Sequence, residues 1–418
     1  MLKEVMNKAG YRIKSAVVLR GTGIVTPYIA DECVTALNQA NVAAIGIEMR
    51  VTSDESELNR AKVGASGIQI QMSSEETVMD YFNKMRVCIK EIKPDFILSI
   101  DAVFTRDYPA LFDELGIPVA AWFVDDPMMF MTLGSVCSKF IAFSWDRVYV
   151  KPLSDLGCLA AEYLPLGTNP AKFRRTPPSD PRCAPFACDV SFVGSSLGQR
   201  TILSGIENEY EPRMRDIMEE CVSRHSEPPH PPVRELLNEA LAREKTAPVV
   251  DKRRAIEVRI ETASMALYRS RAINRLARFA PQVYGDSGWP ALLEPGPVFR
   301  GPIGYDVDLP LLYSASRINL NLTKSQLKTS VNQRVFDAPA CGGFVLTDKR
   351  EDAELLFDTD KEIAVFNNED DMATKVAYFL ENNEERESRA RMTKRHVLAE
   401  HTYAHRIRRM LEVVENHI

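Results

Sequence analysis

Short apolar runs recur through the first half of this chain, each followed by a helical pattern. Ala16 to Leu19, Val42 to Ile47, Phe96 to Ile100, Val119 to Val124 and Lys139 to Phe143 are the strand candidates. Runs this short and this apolar suit strands buried on both faces. Between them lie helices over Pro27 to Gln39 and Ser73 to Ile92, the second opening on a Ser73/Glu76 capping box and carrying Val78, Tyr81, Phe82, Met85 and Ile92. Strands alternating with helices give a mostly parallel, doubly wound sheet, the α/β class. The second half repeats the scheme. Asp189 to Val193 starts a new strand, VYGDSGW supplies a strand and turn, Leu309 to Ala315 a helix, and Ile318 to Leu322 a further strand. At 418 residues the chain is too long for one ordinary domain and suits two.

The segment joining the halves, LPLGTNPAKFRRTPPSDPRCAPFAC, is rich in proline and lacks periodicity, as a linker does. Residues 199 to 280 are mostly helical and charged. Lys252, Arg253, Arg254, Arg259, Arg269, Arg271, Arg275 and Arg278 alternate there with Ile256, Ile260, Met265, Leu267, Ile273 and Leu276. The pattern reads as a helical insertion with one packed face, or as a basic surface for an acidic partner. From Glu369 onward the chain is almost all helix and could fold back across both domains.

Composition narrows the function classes. With 52 basic against 58 acidic residues and a net charge of −6, no dominant nucleic-acid surface is expected. No apolar run approaches the roughly 20 residues of a membrane helix, and MLKEVMNKAGYRIK lacks a signal-peptide core, so a cytoplasmic protein without an integral membrane segment is expected. The eight cysteines form no C-x-x-C pair, which argues for reduced core thiols and against a structural metal site.

Polar residues cluster where predicted strands end, the edge at which open α/β sheets bind ligands. Arg20-Gly21-Thr22-Gly23 follows the first strand, either as a ligand loop or as a plain tight turn; Thr26 stands where a dinucleotide fingerprint needs its third glycine. Asp101 closes DFILSID and Asp125-Asp126-Pro127 closes PVAAWFVDDP, so Asp101 and Asp125 can face one cleft as candidate bases, with Asp126 as a helix cap. Gly194-Ser195-Ser196-Leu197-Gly198-Gln199-Arg200 offers backbone amides and one guanidinium to an anion. Finally, KTSVNQRVFDAPACGGFVLTD, from Lys328 to Asp348, reads as a helix over Ser330 to Ala340, a left-handed turn at Gly342-Gly343 and a strand over Phe344 to Leu346. Lys328, Asn332, Arg334 and Asp337 are its polar members, with Arg334 and Asp337 neighbours on the helix surface.

VNQRVFDAPACGGFVLTD, WFVDDP, LPLGTNPAKF, DVSFVGS, VYGDSGW and LPLLYSASRINLNLT, in this order, resemble the CgeB-like glycosyltransferases, relatives of group 1 enzymes with the two-domain GT-B fold. The similarity spans roughly residues 95 to 410. It implies two Rossmann-like domains facing an interdomain cleft. The boundaries expected are 1–165 for the acceptor side, 166–188 for the linker, 189–398 for the nucleotide-sugar side with its insertion near 200–280, and 399–418 for a final helix crossing back. It also implies a nucleotide-sugar substrate, no cofactor, catalysis without a metal, and retention of configuration. The second glutamate of the group 1 pair, a ribose ligand, corresponds to Asp337; the first corresponds to Thr329, a departure from the family pattern. Lys328, Arg334 and Arg200 are candidates for the diphosphate, joined at the donor side by Gly194, Ser195 and Asn332; Gly21, Thr22 and Gly23 form the cleft loop, and Asp125 or Asp101 is the base if one is used. No histidine lies in the predicted N-terminal sheet, which excludes a histidine base from that domain. The acceptor is a protein, a surface polysaccharide or a small metabolite. A non-catalytic scaffold recruiting a partner through the helical insertion, and a sugar-nucleotide epimerase, are the other readings.

Overall fold

The computed structural model describes residues 11–21, 26–51, 62–64, 67–72, 77–177, 179–197, 210–245 and 252–417. The chain divides into two compact units. The first comprises Met1–Asn169, Gln326–Ser330 and Ala399–Ile418; the second comprises Pro170–Ser325 and Val331–Leu398.

In the first unit the strands are β1 (Ser15–Leu19), β2 (Ala43–Val51), β3 (Lys62–Gly64), β4 (Gly67–Met72), β5 (Phe96–Ile100), β6 (Val119–Phe123), β7 (Phe140–Ser144) and β8 (Ala160–Tyr163). They form one sheet in the order β3-β4-β2-β1-β5-β6-β7-β8, parallel except for the β3/β4 pair. The helices are α1 (Thr26–Gln39), α2 (Val78–Ile92), α3 (Pro109–Leu115), α4 (Val150–Asp155) and the chain's last, α13 (Tyr403–Glu415). FILSI, VAAWF and FIAFS are buried at every position, as central strands covered by helices on both faces must be. The capping box of α2 is Thr77/Asp80, with Thr77 N–H donating to Asp80 Oδ2 at 2.8 Å; the Ser73/Glu76 pair expected from the sequence lies outside the described residues. Among these, Thr77 is the residue with extended backbone directly before the first helical turn, as a cap requires.

The C-terminal residues are integral to this unit. The α13 helix packs on α1, and Tyr403 meets Trp122 edge to face at 6.1 Å. Buried Arg406 donates to the carbonyls of Pro165 (2.8 Å), Leu166 (2.8 Å) and Glu400 (3.1 Å). Arg406→Met would leave those oxygens without their donor, so it should lower unfolding free energy by about 2–3 kcal/mol in denaturant titration. The tail also brings His401 and His405 into the unit, which corrects the exclusion of histidine from it. Both are committed locally: His401 faces Arg406 at 2.8 Å, and His405 closes the Thr402 capping box.

The second unit holds a six-stranded parallel sheet, order β11-β10-β9-β12-β13-β14, built from β9 (Cys188–Val193), β10 (Gln282–Tyr284), β11 (Val298–Gly301), β12 (Ser316–Asn321), β13 (Val345–Asp348) and β14 (Ala364–Phe366). Three helices, α5 (Pro212–Ser226), α6 (Val233–Arg243) and α7 (Arg253–Arg275), share their own apolar cluster around Met218, Leu237 and Ile260. They are followed by α8 (Asp308–Ala315), α9 (Arg334–Ala340), α10 (Glu351–Leu356), α11 (Glu369–Glu381) and α12 (Asn383–Glu400). Residues 170–188, read as linker from composition, pack with this unit; Phe173 and Cys183 are buried. No helix of the described residues is long and apolar enough to cross a membrane.

Candidate functional site

Each sheet has one place where the strand order reverses, and the chemistry collects there. In the second unit the chain winds from β9 outward through β10 and β11, then returns through β12 to β13 and β14. The switch point therefore lies between the carboxyl ends of β9 and β12, where open α/β sheets bind ligands.

Two arginines straddle that point. Arg334, the first residue of α9, donates from Nη1 to Asn321 Oδ1 at 2.5 Å and from Nη2 to the Val193 carbonyl. Arg269, from α7, donates to the Ser195 carbonyl at 2.8 Å and the Leu322 carbonyl at 3.3 Å. Each thus spans the end of β9 and the end of β12. The two guanidiniums lie 5.3 and 5.8 Å from the Phe192 ring centre. Arg269 is only 4% exposed; burial, then the charge of Arg334, lowers its pKa to about 10. Among the described residues no carboxylate hydrogen-bonds to either guanidinium, although Asp348 and Asp286 act on Arg269 through space, so an anion placed between the two arginines would be favoured. Both Nε atoms are buried without a partner.

A polar network fixes Arg334. Asn321 is fully buried and donates to Thr347 Oγ1 at 2.9 Å and Thr323 Oγ1 at 3.2 Å. Thr323 donates on to Asp348 Oδ1 at 2.7 Å, and Arg350 pairs with Asp348 at 2.9 Å. Asp348 is the last residue of β13, which runs two residues beyond the expected strand end at Leu346.

The stretch from Lys328 to Asp348 differs from its expected form in several places. The helix begins at Arg334, not at Ser330. Residues 326–330 belong to the first unit, where the amides of Lys328 (2.6 Å), Thr329 (3.0 Å) and Ser330 (3.4 Å) all donate to Asp146 Oδ2. Each of these amides is spent on the carboxylate, and the helix itself begins only beyond Gln333. Thr329 adds its hydroxyl to Asp146 Oδ1 at 2.8 Å, so the residue at the family's first glutamate is buried in a structural contact. The Lys328 side chain is exposed, and that residue belongs to a different unit from Arg334. Arg334 and Asp337 form no surface pair, because their partners pull them elsewhere. Asp337 is buried and accepts from Gln333 Nε2 at 3.1 Å and from Tyr305 Oη at 3.1 Å. Asn332 accepts the Arg334 amide at 3.2 Å, which initiates α9. Gly342 takes the expected left-handed turn (φ 78°), while Gly343 has no space for a side chain: a Cβ would stand 2.4 Å from the Tyr313 carbonyl.

The Gly194 to Leu197 turn differs from its expected form as well. Three of its four amides are used internally: Gly194 N–H binds the Tyr284 carbonyl (2.9 Å), Ser196 N–H binds Asp286 Oδ2 (2.9 Å) and Leu197 N–H binds Ser195 Oγ (3.1 Å). Ser195 Oγ also donates to Asp286 at 2.5 Å. Asp286 acts as an internal anion for this loop. Burial works to raise its pKa, but the hydrogen bonds from Ser195, Ser196 and Gly288 outweigh it and hold the carboxyl low. The loop's contribution to the switch point is therefore the Ser195 carbonyl that seats Arg269, and Arg200 lies outside the described residues.

In the first unit the order reverses between β1 and β5. Gly21 follows β1; a methyl group there would meet Val103, beyond β5, at 3.1 Å. Thr22 and Gly23 lie outside the described residues. Asp101 opens the loop after β5 in a left-handed conformation (φ 55°), followed by Ala102 (50°) and Phe104 (69°). Three such non-glycine residues in four store strain of the kind found at working sites. Asp101 Oδ1 accepts from Val124 N–H (2.7 Å) and Asp125 N–H (3.0 Å). Burial pushes its pKa up to about 7 against the Val124 hydrogen bond, and the Asp125 charge adds to the rise. Asp125 accepts from the Gln326 side chain and from Asp126 N–H (3.1 Å), while Asp126 caps the short helix at Pro127. The strand ends thus bring Asp101 and Asp125 into direct contact.

Sequence reasoning missed Arg269, Asp286, Asn321, Tyr305, Asp146 and Gln326 as site residues. Arg269 carried a readable signal: it falls in phase with Met265, Ala272, Ile273 and Leu276, the buried face of α7. A cation on an apolar stripe is costly unless it has work there. Four of the other basic residues of this stretch are paired with acids. Arg253 and Arg254 converge on Glu257, Arg271 pairs with Glu227 and Glu369, and Arg275 with Asp370. A groove of about 620 Å³ lined by Arg271, Arg275, Arg278, Glu294 and Asp370 is accordingly no match for the switch point as an anion site.

Comparison with known proteins follows the same lines. Residues 269–412 match the family model described as glycosyl transferase-like. That span begins at Arg269 and contains Asp286, Arg334 and Asp337. Among solved structures, Anabaena HepE in complex with UDP and glucose is similar over 96% of this chain and 100% of its own, at 12% identity and a TM-score of 0.56. Sucrose-phosphate synthase from Thermosynechococcus elongatus covers 96% and 98% at 10% identity, with a TM-score of 0.54. The T4 phage BGT in complex with its UDP-glucose substrate covers 97% and 99% at 9% identity, with a TM-score of 0.52. The fold is GT-B. A sequence comparison with curated proteins finds no match. In this GT-B chain the two parallel sheets each carry their polar residues at the switch point, the first with carboxylates and the second with guanidiniums.

Proposed function

We propose that this chain is a glycosyltransferase, of hexosyl type and CgeB-like, that moves a sugar from a nucleotide-sugar donor to a hydroxyl of a protein or glycan acceptor. One observation carries the reading: Arg334 and Arg269 converge at the second switch point on backbone carbonyls and an amide oxygen, with no carboxylate of the described residues hydrogen-bonded to either. In transfer, the bond from the anomeric carbon to the diphosphate oxygen breaks and a bond to the acceptor oxygen forms. Negative charge appears on the departing diphosphate, and two preorganised guanidiniums meet it; one such donor is worth about 3 kcal/mol. No metal enters this proposal because the arginines supply the countercharge. Asp337, one helical turn beyond Arg334, is the proposed ribose ligand, since a buried carboxylate can accept from two hydroxyls. The first unit supplies Asp101 and Asp125 to the acceptor, with Asp101 able to hold the acceptor proton near neutral pH. Retention of the anomeric configuration is proposed from the group 1 resemblance, and the anomeric coupling of the product reads it.

Because HepE and the T4 phage BGT were both crystallised with UDP ligands, UDP and UDP-glucose head the panel for titration calorimetry. Micromolar to millimolar binding of at least one nucleoside diphosphate or its sugar is expected. Absence of heat across uridine, guanosine, adenosine and thymidine diphosphates and their sugars would sink the proposal.

A further inference from the structure

Asp337 accepts from Gln333 at one carboxylate oxygen and from Tyr305 at the other, and these two donors differ in kind. Gln333 lies four residues earlier, beside the start of the same helix, and reaches Oδ1. Tyr305 comes from the irregular chain between β11 and α8 and reaches Oδ2 at 3.1 Å. The carboxylate is 1% exposed, whereas Tyr305 is 38% exposed. A partly exposed phenol thus reaches inward to a buried anion. Its ring rests edge-on against buried Phe173 at 5.5 Å, and its neighbour Val307 is 69% exposed.

We propose that Tyr305 is a gate over the ribose position, its phenolic O–H occupying on Asp337 the place that a ribose hydroxyl takes when a nucleoside diphosphate binds. The inference rests on the proposed donor site and adds a specificity device to it. A phenol and a sugar hydroxyl are chemically equivalent as donors to a carboxylate, so the two compete for Oδ2. A ligand with a hydroxylated ribose replaces the bond it breaks and leaves Asp337 satisfied. A ligand without those hydroxyls must either leave the phenol in place or strip a donor from a buried carboxylate, which is costly. The gate therefore sharpens selection for ribonucleotides by penalising ligands that cannot make the exchange.

The test is Tyr305→Phe, which keeps the ring and its packing on Phe173 and deletes the donor alone. Titration calorimetry would compare UDP with 2′,3′-dideoxy-UDP on the wild-type chain and the variant. If UDP is not the nucleotide accepted, the binding nucleotide from the panel and its dideoxy form replace it. The variant should bind the ribonucleotide tighter by on the order of tenfold, the size expected when a competing hydrogen bond to a charged group is removed. The dideoxy ligand should change less than twofold. Unchanged or weaker ribonucleotide binding by the variant would overturn the gate, as would an equal gain for both ligands, which would mark Tyr305 as a simple steric cover. If the wild-type chain binds no nucleoside diphosphate, the donor-site reading fails first; if it binds and the variant does not differ, only the gate fails. Asp337→Asn serves as the positive control, since it should weaken ribonucleotide binding whether or not Tyr305 competes.

Discussion

Arg334→Ala is expected to weaken nucleoside diphosphate binding by about a hundredfold, a loss of about 3 kcal/mol when a charged partner of a phosphate is removed from a desolvated site. Part of the damage would fall on the protein itself. Asn321 Oδ1 and the Val193 carbonyl would both lose their donor, and each such loss in the interior costs about 1–3 kcal/mol. Arg334→Lys separates the two effects. It keeps a charge but not the fork, so it should recover more of the stability than of the affinity. Melting temperature and calorimetric affinity measured on both variants check this; equal affinity in all three proteins would remove Arg334 from the donor site.

The second large effect concerns Asp101. Its folded pKa of about 7 lies above the ordinary carboxylate value, so burial favours the protonated form. The sign of the linkage follows: this contribution to stability is complete below the unfolded pKa and is lost as pH rises through about 7. The loss accumulates between those limits, and above about pH 7 the ionised carboxylate costs the native state about 4 kcal/mol. Asp101→Asn keeps an acceptor for the Val124 and Asp125 amides and carries no charge. It should be more stable than the wild type at pH 8 by up to about 4 kcal/mol and near equal at pH 4. Transfer should suffer in the opposite sense. If Asp101 holds the acceptor proton, kcat should fall by 10²-fold or more, and the rise of kcat/KM near pH 7 should vanish. Greater stability with undiminished turnover would show that the acid is structural.

How much of this was legible in the residues divides along a physical line. Strands such as FILSI and VAAWF were readable because a parallel strand covered on both faces has one chemistry along its whole length. The acids at their carboxyl ends were readable for the same reason, since a strand's last residue fixes where the next side chain goes. Hydrogen-bond partners were not. The start of α9 was misplaced because periodicity reports the apolar face and is silent about Asp146, 182 residues earlier than the amide of Lys328 that it binds. The same holds for Ser195 and Ser196, which look like an anion cradle until Asp286, some 90 residues onward, is seen to fill it. Arg269 was named only as one of many charges. Its phase on α7 set it apart, but the Ser195 and Leu322 carbonyls that seat it come from two other elements.

The chain's path through the first unit bears on how such a protein can be recombined. Relatives with this architecture invite chimeras, one parent providing the front half and another the back, joined near Asn169 and Pro170. Here that single junction would sever two inheritances. Asp146 would come from one parent and the Lys328 to Ser330 amides it gathers from the other; Leu166 and Arg406 would be parted likewise. A faithful exchange has four junctions, because residues 326–330 and 399–418 must come from the same parent as 1–169.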